Sequence, residues 1–336
     1  MTLSSPSENP ANLQRITCPI CPLHCDDLTI SVSEGNPRVT GCGHAADAFR
    51  NHSVSRGSVP DTLQKAGSVA VIVGGVDFET ARSLTRLHSL GRIALFCDSD
   101  ATLAALDITT RRDGNISCTM AETRQRATTV WTVGQTNLSW PRFAERVDLK
   151  SIQSRGGQVF HDDSVGIDTL PARLDRLNEG DSVHIWIGPQ AFPRAEADIV
   201  AALLGRWVRE QNQQRRVFLN TFQYAVTLQS LALWRTNQPI PVVDSTINDF
   251  DLRLGISMNV MPSKSITLNG FVGHQDPGPD QADWFAASQI PGWHHRSQIV
   301  RGDGSVTLPL KTVSQPPRSR DSLPRMSEWL TQWFDA

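Results

Sequence analysis

The first clear pattern of apolar and polar positions lies shortly after the N-terminal end of the chain. Leu28 to Ser33 (LTISVS) alternates apolar and polar side chains, which is the period of a strand with one buried face. Residues 34–37 (EGNP) have the composition of a turn, and residues 38–40 (RVT) can return as a second strand. The pattern predicts an antiparallel hairpin, followed over residues 43–60 by a short helix and a linker.

Farther along, the pattern changes to short, continuously apolar runs. Residues 68–74 (SVAVIVG) are typical of a parallel strand buried on both faces, and residues 77–90 place their apolar side chains on one helical face. Residues 93–97 (IALFC) form the next predicted strand, so this stretch predicts a right-handed βαβ unit. The alternation continues with predicted strands at 128–134, 157–163, 182–188 and 215–221 and predicted helices near 171–178 and 194–210.

This alternation predicts an α/β protein, with a small N-terminal cysteine-containing β domain followed by doubly wound, Rossmann-like α/β domains. Near the end of the chain, residues 239–244 and 306–310 are predicted strands, residues 270–279 are a predicted loop, and Trp329 and Trp333 lie in a predicted C-terminal helix. The expected division of the chain is a flexible N-terminus over 1–15, a cysteine domain over 16–60, a first α/β domain over 61–127 with 241–313, a second α/β domain over 128–240, and a tail over 314–336.

Composition narrows the class of protein. Of the 336 residues, 39% are hydrophobic, which is enough for sizeable cores, and the net charge of −2 gives no electrostatic basis for binding nucleic acid. No run of about 18 apolar residues predicts a membrane span. The first fifteen residues lack the basic start and apolar centre of a signal peptide, so we expect a cytoplasmic protein. Disulfides are not expected in that reducing compartment.

Four of the six cysteines form the strongest chemical signal. Cys18, Cys21 and Cys25 have C-x2-C-x3-C spacing, and the predicted hairpin returns Cys42 to their neighbourhood. Thiolates this close in sequence can converge on one soft-metal centre. The unequal spacing with one distant cysteine is typical of a [4Fe–4S] cluster, whereas zinc sites commonly have two evenly spaced pairs. Three interpretations stay open: a four-iron cluster, a zinc-filled site, and thiols without a metal.

Other polar residues support weaker hypotheses. His24 could replace a thiolate, although four cysteines make a histidine ligand unnecessary. His161–Asp163 and the pair His294–His295 with His274 lack the spacing of a metal site or an acid–base pair, so ordinary loop and core roles are expected. Gly74–Gly75 follows a predicted strand without the dinucleotide-binding fingerprint, and a tight turn is expected there.

Several segments resemble the B subunit of formylmethanofuran dehydrogenase, a member of the molybdopterin oxidoreductase superfamily. The cysteine stretch, followed at once by Asp26-Asp27, is similar to the C-x2-C-x3-C-D-D opening of that family. The resemblance extends over most of residues 16–313 and implies the molybdopterin oxidoreductase fold. The further similar segments are residues 118–127 (CTMAETRQRA), 140–142 (WPR), 301–304 (RGDG) and 309–311 (PLK).

The departures from the family matter as much as the matches. Catalytic members carry a Cys-His-Gly-Pro loop whose cysteine binds tungsten or molybdenum, and the sequence after Asp107 lacks this motif. The Arg- and Tyr-rich loop of the family is missing after Val243–Asp244. Cys118 is a candidate substitute ligand, but Thr119 follows it in place of His, so a structural thiol is expected. These losses imply that tungsto- or molybdopterin is absent.

One branch of this family has lost its redox chemistry. In bacteria that oxidise one-carbon units through tetrahydromethanopterin, a relative of the B subunit belongs to the formyltransferase/hydrolase complex, which moves a formyl group to methanofuran and releases formate. The resemblance implies a non-redox structural subunit of such a complex, with A, C and D type subunits as partners and a role in positioning methanofuran. The alternative is a redox-active formylmethanofuran dehydrogenase subunit that holds an iron–sulfur cluster and tungsto- or molybdopterin. A zinc-stabilised binding module is a third class.

Overall fold

The structure is a computed structural model of the chain. It describes residues 13–33, 36–50, 53–59, 63, 66–258, 266–313 and 323–334. Most of the expected flexible N-terminus, the turn at residues 34–35, and residues 314–322 and 335–336 of the expected tail lie outside these ranges. In the part of the chain that is described, no helix has both the length and the apolar composition needed to cross a membrane.

The described residues form fourteen strands, which belong to four sheets. In chain order the strands are β1 (Gln14–Ile16), β2 (Leu28–Ser33), β3 (Asn36–Thr40), β4 (Val69–Val73), β5 (Ala94–Cys97), β6 (Thr129–Val133), β7 (Gln158–Asp162), β8 (Ser182–Ile187), β9 (Arg216–Thr221), β10 (Leu252–Ser257), β11 (Leu268–Gly273), β12 (Ala282–Ala287), β13 (Ser297–Val300) and β14 (Thr307–Leu310).

Helices connect most of the strands. A short 3-10 helix covers Ser245–Asp249. The α-helices of the described residues are α1 (Gly43–Arg50), α2 (Phe78–Ser89), α3 (Ala101–Asp113), α4 (Met120–Arg126), α5 (Thr136–Ser139), α6 (Phe143–Val147), α7 (Leu149–Ser154), α8 (Leu170–Leu177), α9 (Ala197–Gln211), α10 (Val226–Thr236) and α11 (Met326–Phe334).

The N-terminal unit is a small antiparallel sheet with the strand order β1-β2-β3. Ile30 of β2 lies opposite Val39 of β3, and both side chains are buried. Thr29 and Thr40 pair on the other face of the hairpin. The predicted hairpin is therefore present, because the alternation of apolar and polar side chains lets one face of the sheet cover a core.

Two parallel sheets form the larger part of the fold. One has the strand order β12-β11-β10-β4-β5 and the other has the order β7-β6-β8-β9. The first sheet combines strands that precede residue 98 with strands that follow residue 251, and the second sheet uses the chain between them. The predicted fold class, a small β unit followed by Rossmann-like α/β units, is confirmed. The exact domain boundaries stay predictions.

The five-stranded sheet carries apolar cores on both faces. Along β4, Val71 and Val73 belong to one apolar cluster, whereas Ala70 and Ile72 belong to another. Since successive side chains of a strand point to opposite faces, these two clusters lie on opposite sides of the sheet. All five residues of β4 are buried, which explains why its sequence is a continuous apolar run rather than an alternating one.

Some elements differ from the sequence predictions. Residues 270–273, predicted as the start of a loop, belong to β11, and the predicted strand over 239–244 is reduced to one bridge between Cys97 and Val242. Helix α3, helix α4 and strand β12 were not predicted. The glycines of β11 have the composition of a turn, but Gly270 has another role: a Cβ there would lie 2.1 Å from the Trp284 ring of β12.

This close approach gives a stability prediction. Replacing Gly270 by Ala forces the Trp284 ring, which is only 5% exposed, out of its site. We expect the free energy of unfolding to fall by about 1–3 kcal/mol, the usual range for an overpacked core. Urea unfolding measures the change. The matched control is Gly43→Ala, where a Cβ meets nothing within 4 Å, and which is expected to be neutral or slightly stabilising. Equal loss in both variants would contradict the packing argument.

Candidate metal centre

The loop between β1 and β2 is closed by its own hydrogen bonds. The Cys18 N–H donates to the Cys25 carbonyl at 2.8 Å, and the His24 N–H donates to the Cys21 carbonyl at 3.0 Å. His24 has a left-handed φ of 42°, and its Nδ1 lies 3.0 Å from the Cys18 carbonyl. Because a carbonyl only accepts, Nδ1 carries the proton in this contact. The loop therefore holds its three cysteines in one compact turn.

The hairpin returns Cys42 to this turn. Gly41 directly precedes it with a φ of 98°, and a Cβ on this glycine would lie 3.0 Å from the Leu28 side chain. A glycine thus permits both the left-handed backbone and the close approach to β2. The Cys42 carbonyl accepts the Ala46 N–H at 3.0 Å, so this cysteine directly precedes α1. Because Thr40 pairs with Thr29, Cys42 follows β3 beside the start of β2, where the cysteine loop ends; that it joins the other three cysteines in one metal site stays a prediction.

The four thiols lie within electrostatic range of one another, since every pair among them interacts. Burial is the main cause that raises the pKa of Cys18 well above its usual range, the pKa of Cys21 to about 12 and the pKa of Cys25 to about 11. At neutral pH these groups are therefore protonated thiols unless a cation is bound. A metal centre provides the positive charge that lets buried thiols ionise.

The spacing of the sulfur atoms can be compared with what a single zinc ion requires. Among the described residues, no three cysteine sulfur atoms all lie within 4.8 Å of one another. Thiolates on one tetrahedral zinc ion, with Zn–S distances of about 2.3 Å, would stand roughly 3.8 Å apart. In a four-iron cluster each thiolate binds a different iron atom, so the sulfur atoms stand farther apart. The sulfur atoms are thus not gathered as closely as one tetrahedral zinc ion would hold them, and the four-iron cluster stays a prediction from the spacing of the cysteines in the sequence.

Two arginines bind the end of the cysteine loop. The Arg142 side chain, 9% exposed, donates to both carboxylate oxygens of Asp27 at 2.7 and 2.9 Å. Arg146, one helical turn later, reaches Asp27 at 2.8 Å and Asp26 at 3.1 Å. Hydrogen bonds from Arg142 hold the pKa of Asp27 below its usual range. These carboxylates therefore connect the cysteine loop to α6 and are unsuited to general acid–base work.

The loop over residues 301–304 also contacts the cysteine loop. The Gly302 N–H donates to the Pro22 carbonyl at 2.8 Å, and a Cβ on Gly302 would lie 2.5 Å from the Pro22 Cβ. Arg301 pairs with Asp303 at 2.9 Å, which stiffens the turn. Two segments that resemble the same family are therefore in direct contact, although they are far apart in the sequence.

A cavity of about 310 Å³ adjoins the 301–304 loop, with Asp107, Asn220, Gln223 and Asp303 in its wall. The chain after Asp107, where catalytic family members have their metal-binding loop, continues as α3 in this protein. The Asp107 carboxylate pairs with Arg111 at 2.5 Å on the same helix. The chain after Asp107 thus forms the regular end of a helix rather than a ligand-bearing loop.

Cys118 is part of a separate polar group. Its sulfur lies 3.0 Å from His184 Nδ1 and 3.4 Å from Thr123 Oγ1, and its N–H donates to Asn220 Oδ1 at 2.8 Å. Burial raises the pKa of Cys118 to about 12. The His184 Nε2 lies 3.1 Å from the Ser182 hydroxyl. These contacts agree with the expected structural thiol. His184 was not singled out in the sequence, because a lone histidine in an apolar strand gives no signal.

This histidine predicts a pH dependence. Burial lowers the pKa of His184 to about 4, compared with an ordinary value of 6.5. Between these values the unfolded chain binds a proton that the folded chain does not, so stability falls as the pH is lowered. The lowered pKa of His184 reduces the free energy of unfolding by up to about 3 kcal/mol as the pH falls from neutral to acidic. His184→Gln is expected to flatten the fall in the urea midpoint between about pH 7 and pH 5, and His44→Gln, which replaces an exposed histidine, is the matched control for the substitution itself. His24, whose pKa burial also lowers to about 4, maintains the remaining slope. Identical slopes of the urea midpoint against pH in the two variants would contradict the assignment of this pH dependence to His184.

The other predicted polar groups have structural partners. His161 lies 2.9 Å from the Thr132 hydroxyl and 3.2 Å from the exposed Asp163, and Asp162 pairs with Arg173 at 2.6 Å. The neighbouring acids therefore serve different partners. His161 lies in β7 rather than in the expected loop, and its contacts are those of an ordinary structural residue.

The three histidines near the C-terminal end do not converge. His274 Nε2 lies 2.6 Å from a backbone carbonyl, and His294 Nδ1 accepts a backbone N–H at 2.9 Å. The structure instead groups His295 with Asp77 and Glu79, whose ligand atoms all lie within 4.8 Å of one another. Asp77 already caps α2, and Glu79 pairs with an arginine, so each carboxylate has a partner. No spacing in the sequence indicated this group.

Fold and site together define a class: an α/β protein with two parallel sheets, and with a three-cysteine loop and a fourth cysteine in its small N-terminal β unit. No family model matches the sequence, and no curated protein matches it. The fold is similar to a chain in the crystal structure of the formyltransferase/hydrolase complex from Methylorubrum extorquens in complex with methylofuran. The TM-score is 0.59 at 16% sequence identity, and the match covers 84% of this chain and 97% of that chain. At this identity the likeness is one of fold.

Proposed function

We propose that this protein is a B-type, non-redox structural subunit of a formyltransferase/hydrolase complex in one-carbon metabolism linked to methanofuran and tetrahydromethanopterin. The observation that carries the proposal is the fold match, which covers 97% of a chain from such a complex. The resemblance of residues 18–27, 118–127 and 301–304 to the B subunit family supports the finer assignment, and the first and third of these segments are in contact through Gly302 and Pro22.

In this proposal the chemical steps lie on partner subunits. The A, C and D type subunits transfer the formyl group and hydrolyse it to formate, and this chain provides their common attachment and helps to position methanofuran. The absence of the metal-binding motif supports a non-redox role, since the chain after Asp107 forms the end of α3. A pterin-bound metal requires both a ligand and phosphate-binding loops, and the sequence lacks both family motifs.

The cysteine loop has a structural role in this proposal. Cys18, Cys21, Cys25 and Cys42 would hold one [4Fe–4S] cluster. When bound, the cluster links the loop to the start of α1 and contributes its binding free energy to folding. The chain's own residues prepare this site: the loop hydrogen bonds collect three thiols, Gly41 returns the fourth, and Arg142 ties the loop to α6.

The second candidate is a redox-active formylmethanofuran dehydrogenase subunit with tungsto- or molybdopterin. The observation that favours it is the cavity of about 310 Å³ beside the 301–304 loop, which contacts the cysteine loop. Elemental analysis separates the two candidates. The structural role predicts iron without tungsten or molybdenum, whereas near one tungsten or molybdenum atom per purified chain would establish the redox role and refute our proposal.

Assembly tests the proposal directly. An affinity-tagged copy expressed in the source cells is expected to recover A, C and D type subunits in fixed stoichiometry, and native mass spectrometry measures the ratio. The recovered assembly should transfer formyl groups from formyl-tetrahydromethanopterin and release formate, whereas the isolated chain should not. A solitary chain with its own activity on any substrate, or recovery without the three partners, would refute the structural-subunit proposal.

A further inference from the structure

Four arginines surround one depression on the five-stranded half of the fold. Arg82 and Arg86 lie on α2, Arg235 lies near the end of α10, and Arg296 directly precedes β13. The depression has a volume of about 730 Å³, which lies in the range of small-molecule sites rather than of surface irregularities. We call it the arginine groove. Three separate elements contribute to it, so the clustering is a product of the tertiary structure.

Two of the four arginines, Arg82 and Arg296, have no acidic partner among the described residues. Glu79 is the one acidic residue in the described wall of the groove, and its carboxylate already pairs with Arg325 at 3.2 Å. The chain as a whole has a net charge of −2, so this concentration of positive charge is not a general property of its surface. Repulsion among like charges favours an anion in the groove.

The wall of the groove also contains hydrogen-bonded and aromatic side chains in addition to its charged groups. Arg235 Nη1 donates to the buried Thr85 hydroxyl of α2 at 3.2 Å, which fixes one guanidinium at the rim. Phe78 forms part of the wall and stacks on Trp234 with ring centroids 6.0 Å apart. Ser83 adds a hydroxyl that can donate a hydrogen bond. The wall therefore combines one fixed guanidinium, a neutral donor and an aromatic surface with the other arginines.

From these observations we propose that the arginine groove binds a small polyanion with two or more phosphate or carboxylate groups. Guanidinium groups recognise planar carboxylates and tetrahedral phosphates through paired hydrogen bonds to two oxygen atoms, and several converging guanidiniums select multivalent anions over single ones. The site involves none of the cysteine-loop residues and does not depend on the proposed function of the chain. It is therefore a binding activity in addition to that function.

Calorimetric titration of the full chain tests the site, with tripolyphosphate and citrate as separate probes. We expect at least one probe to bind. In the double variant Arg82→Ala/Arg296→Ala the dissociation constant should rise at least about tenfold, the loss expected when charge-assisted hydrogen bonds are removed. The matched control is Arg194→Ala/Arg216→Ala, which removes the same charge at exposed positions outside the groove and should bind as the unaltered chain does.

Each outcome of the titration is informative. Binding of tripolyphosphate alone assigns a phosphate ligand, and binding of citrate alone assigns a polycarboxylate. Raising the salt from roughly 0.05 M to 0.5 M should weaken the binding, because the contacts are ionic and partly exposed. Failure of both probes at millimolar concentration would overturn the proposal. So would an equal loss in the control variant, or an undiminished affinity in a groove variant whose circular dichroism shows that it is folded.

Discussion

Replacing Cys21 by Ser is expected to remove the metal centre. Anaerobically prepared protein should show broad absorption in the blue and about four iron atoms per chain, and both should be lost in the variant. The physical reason is that the Cys21 thiol is buried among three other thiols, where a serine hydroxyl cannot provide the soft thiolate ligand. Optical spectra and iron analysis measure the effect.

A second buried cysteine provides the matched control for this experiment. Cys97→Ser changes a thiol that is also buried but accepts a hydrogen bond from Gln229 Nε2 at 3.1 Å in the five-stranded sheet. This variant should retain the absorption and the iron. Zinc alone in the unaltered protein would reject the four-iron assignment, and metal-free protein that folds with full stability would reject a structural role for any metal. The pair of variants thus distinguishes loss of a ligand from general damage to a core.

Removing Arg142 is the second change with a large expected effect. Arg142→Met keeps the length of the side chain but leaves Asp27 and Glu145 without their shared partner. Breaking a fully buried ion pair lowers the free energy of unfolding by about 3–5 kcal/mol. Because both carboxylates are partly exposed here, we expect a loss of about 2 kcal/mol. The urea midpoint should fall without a change in slope. The cysteine loop should also lose metal more readily, because its end is then held to α6 by Arg146 alone.

An exposed pair of similar chemistry tests whether this effect is specific. Arg206 pairs with Glu210 at 2.7 Å, and both side chains are more than half exposed. Arg206→Met should change the free energy of unfolding by less than about 0.5 kcal/mol, as exposed pairs on helices usually do. A similar small effect for Arg142→Met would show that the cysteine loop keeps its position without the arginine. A large effect on stability with unchanged metal retention would show that the arginine stabilises the fold but not the site.

The cysteine loop is held by three different parts of the chain. Its own backbone closes the turn, Arg142 binds its acidic end, and Gly302 contacts its middle at Pro22. A loop with three attachments keeps its shape even where its thiols are protonated. This organisation agrees with a site whose present role is to hold elements together, which is what we propose for a structural subunit.

The sequence by itself determined the local elements of this protein and indicated its candidate metal ligands. The alternation over Leu28–Ser33 predicted the hairpin, and the apolar run over 68–74 predicted a strand buried on both faces, because periodicity reflects how many faces of an element meet a core. The spacing of the cysteines indicated a metal centre. Where local composition was ambiguous the prediction was wrong, as in β11, whose glycines have the composition of a turn but accommodate the ring of Trp284.

The tertiary structure alone decided which distant side chains meet. Arg142 and Asp27 are 115 residues apart, and Cys118 and His184 are 66 residues apart, so no local pattern relates them. The same is true of Arg82 and Arg296 in the arginine groove. Such contacts depend on the order and spacing of strands within the sheets, which results from packing over the whole chain. Sequence periodicity reports which face of an element is buried, and only the folded sheets determine what that face contacts.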